Sequence, residues 1–501
     1  MSYFINSVIF ALVFILIYAC EKDDVPEYLA KVGDEIITTQ EFTYRYNFNP
    51  FLFRIDDEGV AKKTALASVI AEKLLSREAK KQSYLPQKVK RLIAAHKREA
   101  IIEQLRRDSV ESQIRISEKE LNAEYMKALK EITVEYFEFD KLSSARAFRA
   151  KLSKGFSLQE IREGDKRFAG IKAAVKKKLQ WPISNPVLEP VVYQLKLNEI
   201  SEPLFDKGRY YLVKVRAVKN TNTANSADFK NRKNALEDHI LRRKIKERYT
   251  TFFYRHLQSR LGSVNHTAVD EALDDLAMQI DFRRPSPSRP FGEFKGLSAD
   301  LYLSTDLQAK QRVSTPAVKF PSAETWTLQE LFRNLKTGPY AFNYSDINAF
   351  KKSFLNNINL LLEHQALYEM ARELDYEVNE NVRKETAMWQ SYYSAASFRH
   401  HLLEPLDSPQ SGGAHTGNGN LSAIQKKRLD FMDKYLSALI SQYEIDINKS
   451  AFMELQLKKQ DMLLMKSHFA HRLVAPLLEP LEGMPHWQKK INILFTKFGI
   501  N

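Results

Sequence analysis

From Lys62 to Lys81, the apolar residues Leu66, Val69, Ile70, Leu74 and Leu75 recur at helical spacing. That spacing lines one face of a helix. It predicts a helix over 62–81 that Pro86 ends, because proline lacks the N–H that the next turn needs. A second helix is expected from about 87 to 107. Ahead of this pair, "YLAKVGDEIITTQEF" (Tyr28 to Phe42) reads as two strands around a tight Gly33-Asp34 turn, followed by a helix start with Thr39 as N-cap. Further on, Ser117 and Glu120 of "RISEKELNAEYMKAL" have the spacing of a capping box. "ITVEYFEFD" alternates as a strand does. "SARAFRAKLSKGFSLQEI" then reads as an amphipathic helix closed by Gly155, with Phe156 and Leu158 returning to the core. A long helix is expected from Asp228 to Arg260, with Leu236, Ile240, Ile245, Phe252 and Phe253 inward and its ten Lys or Arg solvated.

The second half of the chain echoes the first. "WTLQELFRNL" (Trp326 to Leu335) follows the pattern of "ITTQEFTYRY" (Ile37 to Tyr46). "LEHQALYEMARELDY" (Leu362 to Tyr376) follows "IAEKLLSREAKKQSY" (Ile70 to Tyr84), which matches Ala371 to Ala79 and Tyr376 to Tyr84. Val382 then takes the part of Val89. After that, "DSPQSGGAHTGNGN" (Asp407 to Asn420) reads as a glycine-rich joint, and the segment from Leu421 supplies a closing helix and a short end strand. "PLLEPLEGMPHWQKKINILFTKFGIN" carries no reading.

At 501 residues the chain is too long for one ordinary core. With 44% hydrophobic and 28% charged residues it has the composition of a folded protein. The net charge of +14 raises the question of nucleic acid, but the 76 basic residues are interspersed with 62 acidic ones along helices. No aromatic–basic RNA signature and no zinc spacing accompany them, so the charge reads as solvated surface. One cysteine, Cys20, excludes an internal disulfide. It ends an apolar run from Val8 to Ile17, which is shorter than the ~20 residues a spanning helix needs. The run suits the core of a secretory signal, and Ile17-Tyr18-Ala19-Cys20 resembles a bacterial lipobox. That resemblance implies lipidation at Cys20 and a mature chain beginning there, outside the cytoplasm. An uncleaved anchor or a buried cysteine is the alternative. "CEKDD" also resembles the export tag of some surface lipoproteins.

Taken in order, "AKVGDEIITTQEF", the long helix pair and "ISEKELNAEYMKAL" resemble the chaperone segment of extracytoplasmic parvulin-type foldases of the SurA and PrsA kind. In that family the helical core carries an inserted parvulin domain, a peptidyl-prolyl isomerase. "LEPVVYQLKLNEISEPLFDKGRYYLVKVRAV" matches the end of such a domain: a helix, a "GEIS-P" turn and a final strand. The resemblance spans roughly residues 28–260. It implies an α+β, mainly helical fold: a SurA-like helical chaperone core with an inserted parvulin domain of βα3βαβ2 type, and a second helical core-like repeat. The expected divisions are a signal peptide (1–19), a tether (20–28), the first part of the core (29–125), the parvulin-like domain (126–220) and a core-closing helix (221–282). A linker (283–315), the second repeat (316–406), a Gly/Ser-rich linker (407–420) and a C-terminal helical part (421–501) follow.

Rotation about an X-Pro bond needs no metal and no covalent step; desolvating the amide and steadying its twisted form suffice. The family site has two bridged histidines, a Cys or Asp, and an apolar proline pocket. The resemblance carries the first-strand histidine onto Tyr136. It carries the last-strand histidine onto Tyr211, because "RYYLVKV" stands for the family's "GYHIIKV". The pocket phenylalanine falls on Leu188 and the methionine near Ser184. Tyr193 keeps an aromatic position, and Asp165 is the candidate acid. The resemblance thus implies a degenerate site, inactive or weak as an isomerase, in which binding is what remains.

No cofactor or metal is expected. His400-His401 lacks metal-ligand spacing, and no loop resembles a phosphate cradle. The expected partners are unfolded or nascent secreted and outer-membrane polypeptides, and the membrane through the lipid anchor, with no nucleic acid. The expected place is the bacterial cell envelope, facing the periplasm. An active isomerase with a remodelled site and an assembly lipoprotein with one fixed partner are the alternatives.

Overall fold

The computed structural model describes residues 28–171, 175–185, 187–220, 225–279, 313–337, 340, 342–407, 423–455, 457, 475–479 and 481–500. The fold is mainly helical, with three small antiparallel sheets among the described residues. It forms two compact units, Met1–Leu105 with Leu257–Asn501, and Arg106–His256. The signal segment with Cys20, the expected linker around Arg283–Gly296 and the joint from Ser408 to Asn420 lie outside the described residues.

The first unit opens on strands β1 (Tyr28–Val32) and β2 (Glu35–Thr38). Their turn places Gly33 at φ +62°, a left-handed conformation that glycine adopts freely. Helix α1 (Thr39–Asn47) follows, and its N-cap is Thr38 rather than Thr39. Thr38 ends the strand in an extended conformation, so its hydroxyl, and not its neighbour's, accepts the Glu41 N–H at 3.0 Å. Helices α2 (Glu58–Lys81) and α3 (Gln87–Arg106) form the long pair that the apolar spacing predicts.

The second unit begins with α4 (Glu118–Ala128), started by the Ser117–Glu120 capping box. Then come β3 (Lys130–Phe139), α5 (Leu142–Ser153), α6 (Leu158–Gly164), a 3₁₀ turn (Lys166–Phe168), β4 (Val175–Gln180), α7 (Glu189–Val192), β5 (Leu204–Asp206) and β6 (Arg209–Asn220). The antiparallel sheet has the order β4-β3-β6-β5. One face carries Phe137, Phe139 and Leu212 against Phe148, Ile161 and Phe168. The other carries Ile132, Val134, Val213 and Val215 against Ile183, Leu188 and Val192. Each large side chain so buried contributes about 1.5–3 kcal/mol. Gly155, at φ +93°, closes α5 as expected. Phe156, however, is 49% exposed rather than in the core. Its N–H is spent on the Lys151 carbonyl in the closing turn, Ser157 caps α6, and only Leu158 packs inward. Helix α8 (Ser226–Phe252) packs on α4 through Leu236 and Ile240 against Leu121, Tyr125 and Leu129. Ile245 and Phe253 are only half-buried.

The chain returns to the first unit with β7 (Ser263–Val264), α9 (His266–Gln279), β8 (Pro316–Lys319), β9 (Thr325–Thr327), α10 (Leu328–Thr337), α11 (Ile347–Glu373) and α12 (Glu380–Leu403). It ends with α13 (Ala423–Gln442), β10 (Ile445–Ile447), α14 (Lys449–Glu454) and α15 (Pro485–Lys497). The sequence echo extends to geometry. Thr327 caps α10 as Thr38 caps α1, accepting the Glu330 N–H at 3.3 Å. Ser83 (φ 53°) and Asp375 (φ 57°) are both left-handed, each directly before the matched tyrosine, Tyr84 or Tyr376.

The two halves of this unit exchange strands. The sheets are β10-β1-β2 and β7-β8-β9, so each hairpin is completed by a strand from the other half. The registers agree position for position: Ile447 and Asp446 face Ala30 and Lys31, while Val264 and Ser263 face Val318 and Lys319. The next residue is asparagine in both. Asn448 donates its N–H to the Leu29 carbonyl at 2.9 Å, and Asn265 to that of Ala317 at 2.8 Å. Their side chains then cap α14 and α9 by accepting from Ala451 and Ala268. Between the long helices, α2 packs along α12. Arg98 of α3 reaches α11, bonding Gln365 at 2.5 Å and lying 4.6 Å over the Tyr368 ring. The C-terminal segment that carries no sequence reading is core: Trp487, Ile491 and Phe495 of α15 are buried in the cluster that holds Leu29, Leu66 and Ile70.

Candidate functional site

Successive residues of a strand face opposite ways, and directly paired residues share a face. Tyr136 pairs with Val213, and Tyr211 with Glu138. Both tyrosines therefore stand on the Val134–Val213 face, where Tyr136 packs on the cluster containing Leu188 and Val192. Burial pushes the Tyr136 hydroxyl up to about 12. Burial, then the Glu138 carboxylate, raises Tyr211 as well. Both are neutral phenols at ordinary pH.

Leu188 is 7% exposed and belongs to this core. Tyr193 packs beside it, and its hydroxyl is buried without a hydrogen-bond partner. Burial first, then Glu189 and Glu124, push that hydroxyl up to about 12. The structure thus brings Tyr136, Tyr211, Leu188 and Tyr193 to one face. Ser184 is exposed in the segment between β4 and α7. Its neighbour Asn185, not singled out by the sequence, shapes that segment: its carbonyl oxygen accepts the N–H groups of Val187 and Leu188, and its amide donates to Asp206 at 2.9 Å.

Asp165 sits in the helical layer on the opposite face. It caps the 3₁₀ turn that ends at Phe168, a residue of the Phe137–Phe148 cluster. Arg167 donates to it through both backbone and guanidinium, and Lys151 lies 3.1 Å away. These bonds, Arg167 foremost, hold its carboxyl far below the usual range. Residues 106–256 contain two histidines, His239 and His256, and neither is on the sheet.

A second group went unnoticed in the sequence, because its members are scattered along the chain with no motif spacing. Glu124 of α4, Glu189 of α7 and His239 of α8 converge. Trp181 Nε1–H donates to Glu124 Oε1 at 2.8 Å, while Lys127 and Arg243 reach Glu124 Oε2 at 2.9 and 3.2 Å. Burial alone would raise the Glu124 carboxyl, but these donors outweigh it and hold it below its ordinary value.

In the first unit, a cavity of about 30 Å³ is lined by Ser68, Leu75, Tyr392, Arg399, Met432 and Met484, among others. That volume admits a water or two and no peptide side chain. Exposed apolar groups are found on both units, Leu374 and Met453 among those on the first and Phe205 among those on the second. Phe205 is 57% exposed on the edge strand β5, with the Tyr210 ring 4.9 Å away. The other edge, β4, carries exposed Lys177 and Lys178, charges that discourage strand addition. Among the described residues no helix is long and apolar enough to cross a membrane.

No family model and no curated protein matches the chain. Solved structures similar to part of it include a peptidylprolyl isomerase, PrsA, from Bacillus cereus, at 13% identity over 44% of this chain and 86% of that one, with a TM-score of 0.19. PrsA from Bacillus subtilis matches at 14% identity over 52% and 96%, TM-score 0.15. One of two structurally related SurA-like chaperones from Campylobacter jejuni matches at 16% identity over 46% and 97%, TM-score 0.20.

Proposed function

We propose that the protein is a lipid-anchored, extracytoplasmic chaperone of the parvulin-foldase kind, which binds unfolded or extended polypeptides and whose parvulin-like sheet domain does not catalyse. The observation that carries this reading is the tyrosine pair. Tyr136 and Tyr211 occupy the positions that the sequence resemblance assigns to histidines, on one face beside Leu188 and Tyr193. Two neutral phenols offer apolar surface and hydrogen bonds to a peptide, but no imidazole pair. The order of strand, two helices, 3₁₀ turn, strand, short helix and two strands supports the βα3βαβ2 assignment. Exposed Phe205 beside Tyr210 on the edge strand supplies apolar surface of the kind a non-native chain seeks.

The test uses the full chain in two assays. Aggregation of several unrelated unfolded proteins should be suppressed, and X-Pro isomerisation of a model peptide should run at its uncatalysed rate. Turnover that Tyr211→Phe abolishes would replace this reading with a remodelled isomerase. Protection of no client, with one stoichiometric partner in pull-downs, would replace it with an assembly role. Anchoring is checked separately: Cys20→Ser should move the protein from the membrane to the soluble fraction.

A further inference from the structure

Glu124, Glu189 and His239 belong to three elements, and nothing in the peptide-binding reading uses them. We propose that they form a binding site for a divalent transition-metal ion, with zinc as the ion, which clasps α7 to the helix pair α4 and α8.

The first argument is distance. His239 Nε2 lies 3.0 Å from Glu189 Oε1 and 3.4 Å from Glu124 Oε1. One ligand atom from each residue lies within 4.8 Å of the others. Donors bound at roughly 2.0–2.2 Å in a tetrahedron around one zinc ion are separated by about 3.3–3.6 Å, close to the two His239 distances.

The second argument is direction. At 3.0 Å an imidazole nitrogen and a carboxylate oxygen would ordinarily share a hydrogen bond. Here His239 Nε2 and Glu189 Oε1 are both buried and both lack a hydrogen-bond partner. The ring nitrogen therefore does not point along the line to either carboxylate. In a hydrogen bond the N–H points at the acceptor; around an ion, all lone pairs point at a common third position. Glu189 is 9% exposed, so its unpartnered oxygen has no ready access to bulk water as a substitute.

The third argument is support. Groups that orient ligands surround many metal sites. The Trp181 indole N–H fixes Glu124 Oε1 and leaves that oxygen a second lone pair. Lys127 and Arg243 both bind the other oxygen, Oε2. Their positive charge weakens the site relative to an all-anionic one. With three protein donors, a fourth position stays open. The Tyr193 hydroxyl, four residues beyond Glu189, is likewise buried without a hydrogen-bond partner. Two carboxylates with one imidazole suit zinc or cobalt(II) and offer no thiolate for softer ions.

The test titrates the full chain, stripped with EDTA, with Co²⁺ followed by visible absorption and then with Zn²⁺ followed by calorimetry. One ion should bind with the intense bands of low-coordinate cobalt, and Zn²⁺ should displace it and raise the unfolding temperature. His239→Ala should lose the bands and the thermal shift. Glu189→Gln, which keeps the side-chain shape, should do the same. Trp181→Phe should weaken binding about 10- to 100-fold. Absence of cobalt bands in the wild type overturns the proposal. So does equal binding by wild type, His239→Ala and Glu189→Gln, which would place the ion elsewhere, as on the exposed His400 and His401.

Discussion

Tyr136 and Tyr211 stand one diagonal step apart on adjacent strands, Tyr136 opposite Val213 and Tyr211 opposite Glu138, with both side chains on the Leu188 face. Burial, foremost in both, raises the two hydroxyls, so the ladder joins two phenols held in their protonated form.

That protonation has a pH signature. Tyr136 and Tyr193 are pushed up to about 12 in the folded chain, against about 10 for an unfolded tyrosine. A raised folded value means that the unfolded state loses its proton first. The contribution to stability is then complete below pH ~10 and disappears as pH rises toward 12. Absorbance titration near 295 nm should show a late-ionising set of tyrosines, and Tyr136→Phe should remove one of them. Denaturant midpoints should fall between pH 10 and 12, and fall less steeply in Tyr136→Phe.

Arg45 is buried on α1, paired two-pronged with Glu72 of α2 at 3.0 and 2.5 Å. Glu41 lies 3.5 Å from Arg45 and 3.3 Å from Lys73. Arg45→Met leaves Glu72 without its main partner in a nearly closed site, so it should cost about 3–5 kcal/mol in urea unfolding of the first unit. A loss below 1 kcal/mol would mean that Lys73 or water takes over.

Thr38 and Thr327 cap matched helices with the same bond to a glutamate N–H three residues on. Thr38→Ala and Thr327→Ala should each destabilise by about 1 kcal/mol. Ser83→Gly and Asp375→Gly should each stabilise by up to about 1 kcal/mol, because both positions hold left-handed backbone. Matched effects in the two halves, measured by denaturant unfolding, are the expected result; opposite signs would break the structural correspondence.

The strand exchange makes each half dependent on the other. A chain ending at residue 407 lacks β10, α13, α14 and α15, which supply Leu436, Ile447, Phe452, Trp487 and Ile491 to the core around Leu29 and Ile70. Hydrogen exchange at β1 should lose its protection in that truncation. Adding residues 408–501 as a separate chain should restore it. Native protection without the added fragment would show that the first half folds alone.

The local pieces are legible along the chain. Apolar spacing marked α2, the Ser117–Glu120 pair marked the start of α4, Gly155 marked the end of α5, and the echo placed Thr327 opposite Thr38. These follow from forces acting within a few residues: side-chain period, caps and backbone freedom. Even there a one-residue choice, Thr38 over Thr39, depended on where the strand stopped.

The partnerships between segments come from packing. Strands β7 and β10 have two and three residues, too few to carry a period, and their pairing with the opposite hairpin depends on which edges the packed helices bring near. Asp165 turned to the helical layer because Arg167 and Lys151 hold it there. Glu124, Glu189 and His239 met because three elements remote in sequence pack at one point. Convergence of this kind has no local pattern, since its cause is the burial of surfaces that each segment presents for other reasons.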